Sequence, residues 1–197
     1  MSSKDKVTAL DLGGPAVLPP ELQAYFDKCL EKLGFVPNVL RAYAFDNAKL
    51  KAFIDMADEL MLADSGLTKL EREMIAVVVS SINHCHYCLT AHGAAVRVRA
   101  KDPEMGELMA QNYRAAQLPE RQKAMLDFAV KLTEEPDKII EADRAALRKA
   151  GFSDRDIWDI ASVTGFYNMS NRLASATEMR PNPEYHHQMR EKGKAKG

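Results

Sequence analysis

Apolar residues recur every three to four positions along most of the chain, and the alternating pattern typical of strands is scarce. Such spacing places apolar side chains on one face of a helix. The sequence therefore predicts an all-α fold. The predicted helices span about residues 21–33, 38–43, 47–62, 70–82, 86–100, 102–115, 120–133, 141–150 and 154–176.

Polar residues with capping side chains stand at several of the predicted helix starts. Asn47 is expected to cap the third helix. Thr68 is followed three residues later by Glu71, and Ser153 by Asp156, the spacing of a capping box in which each side chain bonds the other residue's backbone N–H. These positions predict where two of the longer helices begin.

The apolar residues of the predicted helix 70–82 are spread around its whole circumference, which indicates that the helix is buried on most sides. Glu73 lies on this helix among apolar neighbours. The chain is expected to form an N-terminal arm (1–18), an all-helical domain (19–180) and a C-terminal tail (181–197), and the prolines after residue 180 predict an extended tail.

Composition and charge exclude several classes of function. A net charge of -1 and a pI of about 6.5 do not favour a nucleic-acid partner. No apolar stretch reaches the roughly 20 residues of a membrane-spanning helix, and residues 1–10 do not resemble a secretory signal. A cytoplasmic protein without membrane association is expected, and a close cysteine pair there indicates redox chemistry or metal binding.

The chemistry is expected in the segment His84-Cys85-His86-Tyr87-Cys88-Leu89-Thr90-Ala91-His92. Cys85, Cys88 and His92 are three and then four residues apart, so they share one face of the predicted helix. The positive end of a helix favours the thiolate form of a cysteine in its first turn, and a nearby imidazole can remove the thiol proton. An antiparallel turn would bring Glu73 to His92, where a carboxylate orients the base.

Zinc binding is the main alternative for this segment, because His84 and His86 add two further ligands to the cysteine pair. A single helix does not easily surround an ion tetrahedrally, and structural zinc sites usually draw ligands from a second segment. Redox chemistry is therefore favoured, and His84 and His86 are expected at a loop or the site entrance. Haem attachment would require a histidine where Leu89 stands.

Other polar or reactive residues have simpler interpretations. Cys29 is expected to be a small buried apolar residue. Tyr167, Asn168, Asn171 and Arg172 form a polar cluster within an otherwise apolar helix. Packing and subunit contacts are the expected use of this cluster.

The combination of Glu73, the run Cys85-His86-Tyr87-Cys88, and His92 resembles the signature of alkylhydroperoxidase D-like proteins, within the carboxymuconolactone decarboxylase superfamily. The segments LTKLEREMIAVVVSSINHCHYC and FYNMSNRLA are similar to its peroxidase-related group. The resemblance covers about residues 15–185, and its sharpest part is residues 73–92.

The resemblance implies an all-helical homo-oligomer (dimer, trimer or hexamer), and no cofactor or metal is expected. It implies that Cys88 attacks a small hydroperoxide and becomes a sulfenic acid, which Cys85 resolves as a disulfide, with His92 as base and Glu73 orienting it. The implied electron donor is a dithiol or a disulfide reductase. Tyr87 stands where well-studied members often carry histidine.

Two other functions stay open from the sequence. One is a disulfide reductase that serves a separate peroxidase, and the other is a non-catalytic, oligomeric redox sensor. Lactone decarboxylation is disfavoured, because the decarboxylases of the superfamily lack the cysteine pair.

Overall fold

The computed structural model describes residues 6–190, and within this range the chain is all-α, as predicted, with no strand. No helix in this range is long and apolar enough to cross a bilayer. Residues 1–5 of the predicted arm and 191–197 of the predicted tail lie outside the described residues. The helices are α1 (Pro20–Leu33), α2 (Asn38–Tyr43), α3 (Asn47–Leu62), α4 (Lys69–Ile82), α5 (His86–Ala100), α6 (Met105–Asn112), α7 (Glu120–Glu134), α8 (Glu141–Lys149) and α9 (Asp154–Ala176), with short 3₁₀ turns at Tyr113–Ala115, Pro136–Lys138 and Pro183–His186.

Helix α4 is the centre of the fold. It packs against α5, α6, α7 and α9, and every residue from Glu71 to Ser80 is buried. This confirms the burial predicted from its apolar circumference. A helix enclosed on all sides is a rigid support, so a functional side chain on α4 has a fixed position relative to α5 and α9.

The predicted capping boxes at Thr68 and Ser153 are both present. The predicted cap of α3 is wrong by one residue, because Asp46 rather than Asn47 is its N-cap. Asp46 has an extended backbone, and its carboxylate accepts the N–H groups of Ala48 and Lys49. A carboxylate at this position also interacts favourably with the positive end of the helix.

Helix α6 begins at Met105, three residues later than predicted, and its last predicted turn is a 3₁₀ turn instead. The carboxylate of Asp102 accepts the N–H of Glu104 at 2.9 Å, which forms a local turn. Such a side-chain bond competes with helical hydrogen bonding, and Pro103 adds no N–H of its own. The start of α6 is delayed for this reason.

The expectation of an extended tail is wrong for Pro183–His186, which form a 3₁₀ turn against the domain. Arg97 is buried and donates to the carbonyls of Tyr185 at 2.9 Å and Gln188 at 3.0 Å. Asn182 accepts the first N–H of α2 at 2.6 Å. These long-range bonds hold residues 182–188 over one side of α5.

Candidate functional site

A tight turn between α4 and α5 places the cysteine pair. His84 has a left-handed backbone with a φ of 51°, its N–H bonds the carbonyl of Ser81 at 3.1 Å, and the N–H of Cys85 bonds that of Ser80 at 3.0 Å. This pair of bonds is a Schellman motif, which ends α4 and reverses the chain. His84 therefore has a backbone role, and α5 starts directly behind the last turn of α4.

Both sulfurs lie at the N-terminus of α5. Cys85 is its N-cap residue and Cys88 lies in its first turn, and both side chains are buried, with 1% and 4% of their surface exposed. They are free thiols, and a hydrogen bond joins them. The expected proximity of the two sulfurs is thus observed, and they are close enough to interact directly.

The two thiols differ in acidity, which the sequence argument did not distinguish. A hydrogen bond from the Cys88 thiol lowers the pKa of Cys85 to about 6, against the opposing effect of burial, and the N–H of Cys88 with the side chains of Ser175 and Asn171 lowers it further. The same bond and burial raise the pKa of Cys88. The first proton therefore leaves the pair easily and the second is retained.

Glu73 meets His92 across the α4–α5 hairpin. His92 Nδ1 lies 2.7 Å from Glu73 Oε2, and the Arg99 guanidinium lies 3.6 Å from the other carboxylate oxygen. Because Glu73 accepts the Nδ1 proton, Nε2 is the ring nitrogen left to exchange protons. The edge of the imidazole packs on Tyr167, with ring centroids 4.7 Å apart.

A cavity of about 780 Å³ opens beside this pair. Cys88, His92 and Glu73 line it, whereas Cys85 does not. Its wall is mainly apolar and aromatic, and this volume suits an organic molecule rather than a diatomic one. The aromatic lining consists of Tyr25, Tyr43, Phe53, Tyr87, Phe166, Tyr167 and Tyr185.

Three residues that the sequence did not assign to the site hydrogen-bond the sulfurs. Asn171, expected to serve packing or subunit contacts, is only 1% exposed and hydrogen-bonds both thiols, whereas Ser80 bonds Cys88 and Ser175 bonds Cys85. Asn171 and Ser80 are polar residues at positions where helical spacing predicts burial. Cys29 was expected to be buried and is instead half-buried at the cavity wall.

Among residues 6–190, no three His, Cys, Asp or Glu side chains are close enough together to hold a metal ion. His86 is exposed, beside the buried Tyr87. The Tyr87 hydroxyl accepts the N–H of Val39 at 2.8 Å and bonds Tyr185, so it ties α2 and the tail to α5.

Residues 48–129 match the model of the carboxymuconolactone decarboxylase family. This range holds α4 and α5, and therefore the cysteine pair, Glu73 and His92. No curated protein matches the chain.

Solved structures match nearly the whole chain. A peroxidase-related protein from Silicibacter sp. TM1040 is 62% identical with a TM-score of 0.92, and covers 96% of this chain and 100% of its own. A peroxidase-related protein from Ralstonia eutropha JMP134, described as an alkylhydroperoxidase AhpD core, is 42% identical with a TM-score of 0.90, over 95% and 99% of the two chains. The debrominase Bmp8 in complex with 2,3,4-tribromopyrrole shares the fold at 17% identity and a TM-score of 0.76, over 92% and 97%.

Proposed function

Because the chain belongs to the alkylhydroperoxidase D-like proteins of the carboxymuconolactone decarboxylase family, we propose that it reduces organic hydroperoxides through its cysteine pair. One observation carries this proposal. The thiol of Cys88 lies at the wall of an apolar cavity, bonded to the acidified Cys85, with the Glu73–His92 couple lining the same cavity.

Cys88 is the proposed nucleophile because a substrate in the cavity reaches it first. Cys85 lies behind it and holds the first thiolate charge. Transfer of the remaining proton from Cys88 to Cys85 along their hydrogen bond leaves the thiolate on the sulfur that faces the substrate. A thiolate is the reactive form of cysteine toward peroxides.

The reaction balances with two thiols and one hydroperoxide. Ionisation of the pair gives its first proton to Nε2 of His92. The Cys88 thiolate attacks the terminal peroxide oxygen, the O–O bond breaks, and His92 returns that proton to the leaving alkoxide, which gives an alcohol and a sulfenic acid. Cys85 then attacks the Cys88 sulfur, and the expelled hydroxide takes the Cys85 proton as water. Glu73 stabilises the charged imidazole throughout.

The size and lining of the cavity favour a bulky apolar hydroperoxide over hydrogen peroxide. Burial of an apolar group contributes roughly 25 cal/mol per Å² of surface removed from water, and hydrogen peroxide offers none. We expect cumene hydroperoxide to have a lower KM than hydrogen peroxide, and a dithiol such as dihydrolipoamide to reduce the resulting disulfide.

The test is hydroperoxide-dependent oxidation of dihydrolipoamide by the wild type and by a Cys88→Ser variant. The wild type should turn over, and one equivalent of cumene hydroperoxide should remove two hydrogens from it, located by mass spectrometry to a Cys85–Cys88 disulfide. The Cys29→Ser variant is the matched control, because Cys29 lines the cavity outside the pair and its loss should leave disulfide formation intact.

Wild-type rates in the Cys88→Ser variant would refute the proposal. Turnover that appears only with an added partner protein would favour a disulfide reductase instead. A single oxidation without turnover in excess dithiol would favour a redox sensor.

A further inference from the structure

Asn171 lies at the meeting point of α9, α4 and the start of α5, and is almost fully buried. Its Nδ2 donates to Ser80 Oγ at 2.9 Å, and its side chain hydrogen-bonds Cys85 and Cys88. Since an amide nitrogen has two hydrogens, Asn171 can bond the serine and the sulfurs at once.

The direction of this amide is fixed by its neighbours. Asn83 Nδ2 donates to Oδ1 of Asn171 and to Oδ1 of Asn168, both at 3.0 Å. Asn168 cannot be reversed, because its oxygen also accepts from Arg172 at 2.9 Å and its nitrogen donates to the Thr164 carbonyl at 3.1 Å. The oxygen of Asn171 therefore faces Asn83, and its N–H groups face the sulfurs.

We propose that Asn171 is a positioning residue which stabilises negative charge on the Cys85–Cys88 pair and thereby sets its nucleophilicity and reduction potential. Its consequence for turnover rests on the proposed peroxide chemistry. Its effect on the thiols does not, and can be measured in a protein that reduces no peroxide.

The Asn171 amide bonds both sulfurs, whereas the Ser175 side chain on α9 and the N–H of Cys88 bond Cys85 alone. Ser80 also donates to the carbonyl of Ala76 at 2.6 Å, so its single hydrogen is already engaged. The phenols of Tyr87 on α5 and Tyr167 on α9 lie near Cys88, and burial raises the pKa of both phenols. They stay neutral, while Glu73 and His92 line the adjoining cavity and bond each other.

A hydrogen bond to a charged group in a buried site changes its ionisation by about ten- to a hundredfold, which is about one to two pKa units. Loss of the Asn171 amide should therefore raise the pKa of the first thiol by that amount. Because thiolate stabilisation favours the reduced form, the loss should also make the reduction potential more negative, by about 30 mV for each tenfold change.

The experiment compares the wild type with Asn171→Leu, which removes the amide at similar volume. The thiolate absorbance of the reduced protein is titrated against pH, and the reduction potential is measured against a glutathione redox buffer. Thr164→Val is the matched control, because Thr164 is equally buried on α9, its hydroxyl bonds the Ile160 carbonyl, and it touches neither sulfur. Its titration should match the wild type.

Asn83→Ala keeps the proposal testable should Asn171→Leu fail to fold. It removes the bond that orients the Asn171 amide without removing a donor to the sulfurs, so we expect a smaller upward shift. A thiol titration in a folded Asn171→Leu protein that matches the wild type would overturn the positioning role of Asn171. If only Asn83→Ala folds, an unchanged titration in that variant would overturn it. A wild type without peroxidase turnover would refute only the proposed function.

Discussion

The carboxylate of Glu73 provides the most direct test of the proton transfer that the site is proposed to perform. In a Glu73→Gln variant the side chain keeps its shape and an acceptor oxygen but loses its charge. The 2.7 Å contact to His92 Nδ1 then becomes a neutral hydrogen bond. The imidazolium formed during turnover loses its counter-charge, so the transition state should rise in energy.

The size of this effect depends on the strength of the Glu73–His92 hydrogen bond and on how far solvent reaches it. Charge-assisted hydrogen bonds contribute about 1.5–3 kcal/mol and neutral ones about 0.5–1.5 kcal/mol, so the exchange costs about 1–2 kcal/mol. The His92 side chain is 24% exposed and Glu73 also contacts Arg99, so solvent and the cation reduce the effect. We therefore expect a loss toward the low end of this range, with kcat/KM for cumene hydroperoxide falling roughly three- to tenfold.

Glu71→Gln is the matched control. Glu71 lies on the same helix and is also buried, but it pairs with Arg121 at 2.6 Å, away from the cavity. This variant should unfold at lower denaturant concentration and keep its kcat/KM. A Glu73→Gln enzyme within twofold of wild type, or an equal loss in Glu71→Gln, would refute the role given to Glu73.

Two further predictions concern the thiols and the tail. Because the pKa of Cys85 is lowered to about 6, the thiolate absorbance of the reduced protein should rise with pH through a midpoint near 6. The Cys88→Ala variant removes the donor to Cys85 and should move this midpoint upward, and an unchanged midpoint would contradict the pairing. Arg97→Met leaves the carbonyls of Tyr185 and Gln188 unsatisfied, so urea unfolding should show a loss of roughly 2–3 kcal/mol. Wild-type stability would show that this anchor contributes nothing.

The spacing of apolar residues and the capping side chains were sufficient to predict most of the helices. Apolar spacing and the caps at Thr68 and Ser153 predicted the helices and their starts, because capping depends on residues within one turn. The same rules failed at Asp46 and Asp102, where a side chain bonds nearby backbone and moves the boundary. A single hydrogen bond from a side chain to the backbone decides such a boundary, and the spacing of apolar residues does not predict that bond.

The sequence by itself also determined which groups form the core of the site. Cys88 and His92 are four residues apart on α5 and line the same cavity, and the short hairpin brings Glu73 to His92. These contacts arise within two consecutive helices and need no knowledge of the rest of the chain.

Only the tertiary structure decided which sulfur holds the charge and what surrounds it. The amide of Asn171 and the hydroxyl of Ser175 arrive from α9, more than eighty residues away in the chain, and lower the pKa of Cys85. Tyr185 reaches the cavity because Arg97 binds the tail. Hydrogen bonding and desolvation depend on the groups within a few ångströms, and the fold alone brings distant segments that close.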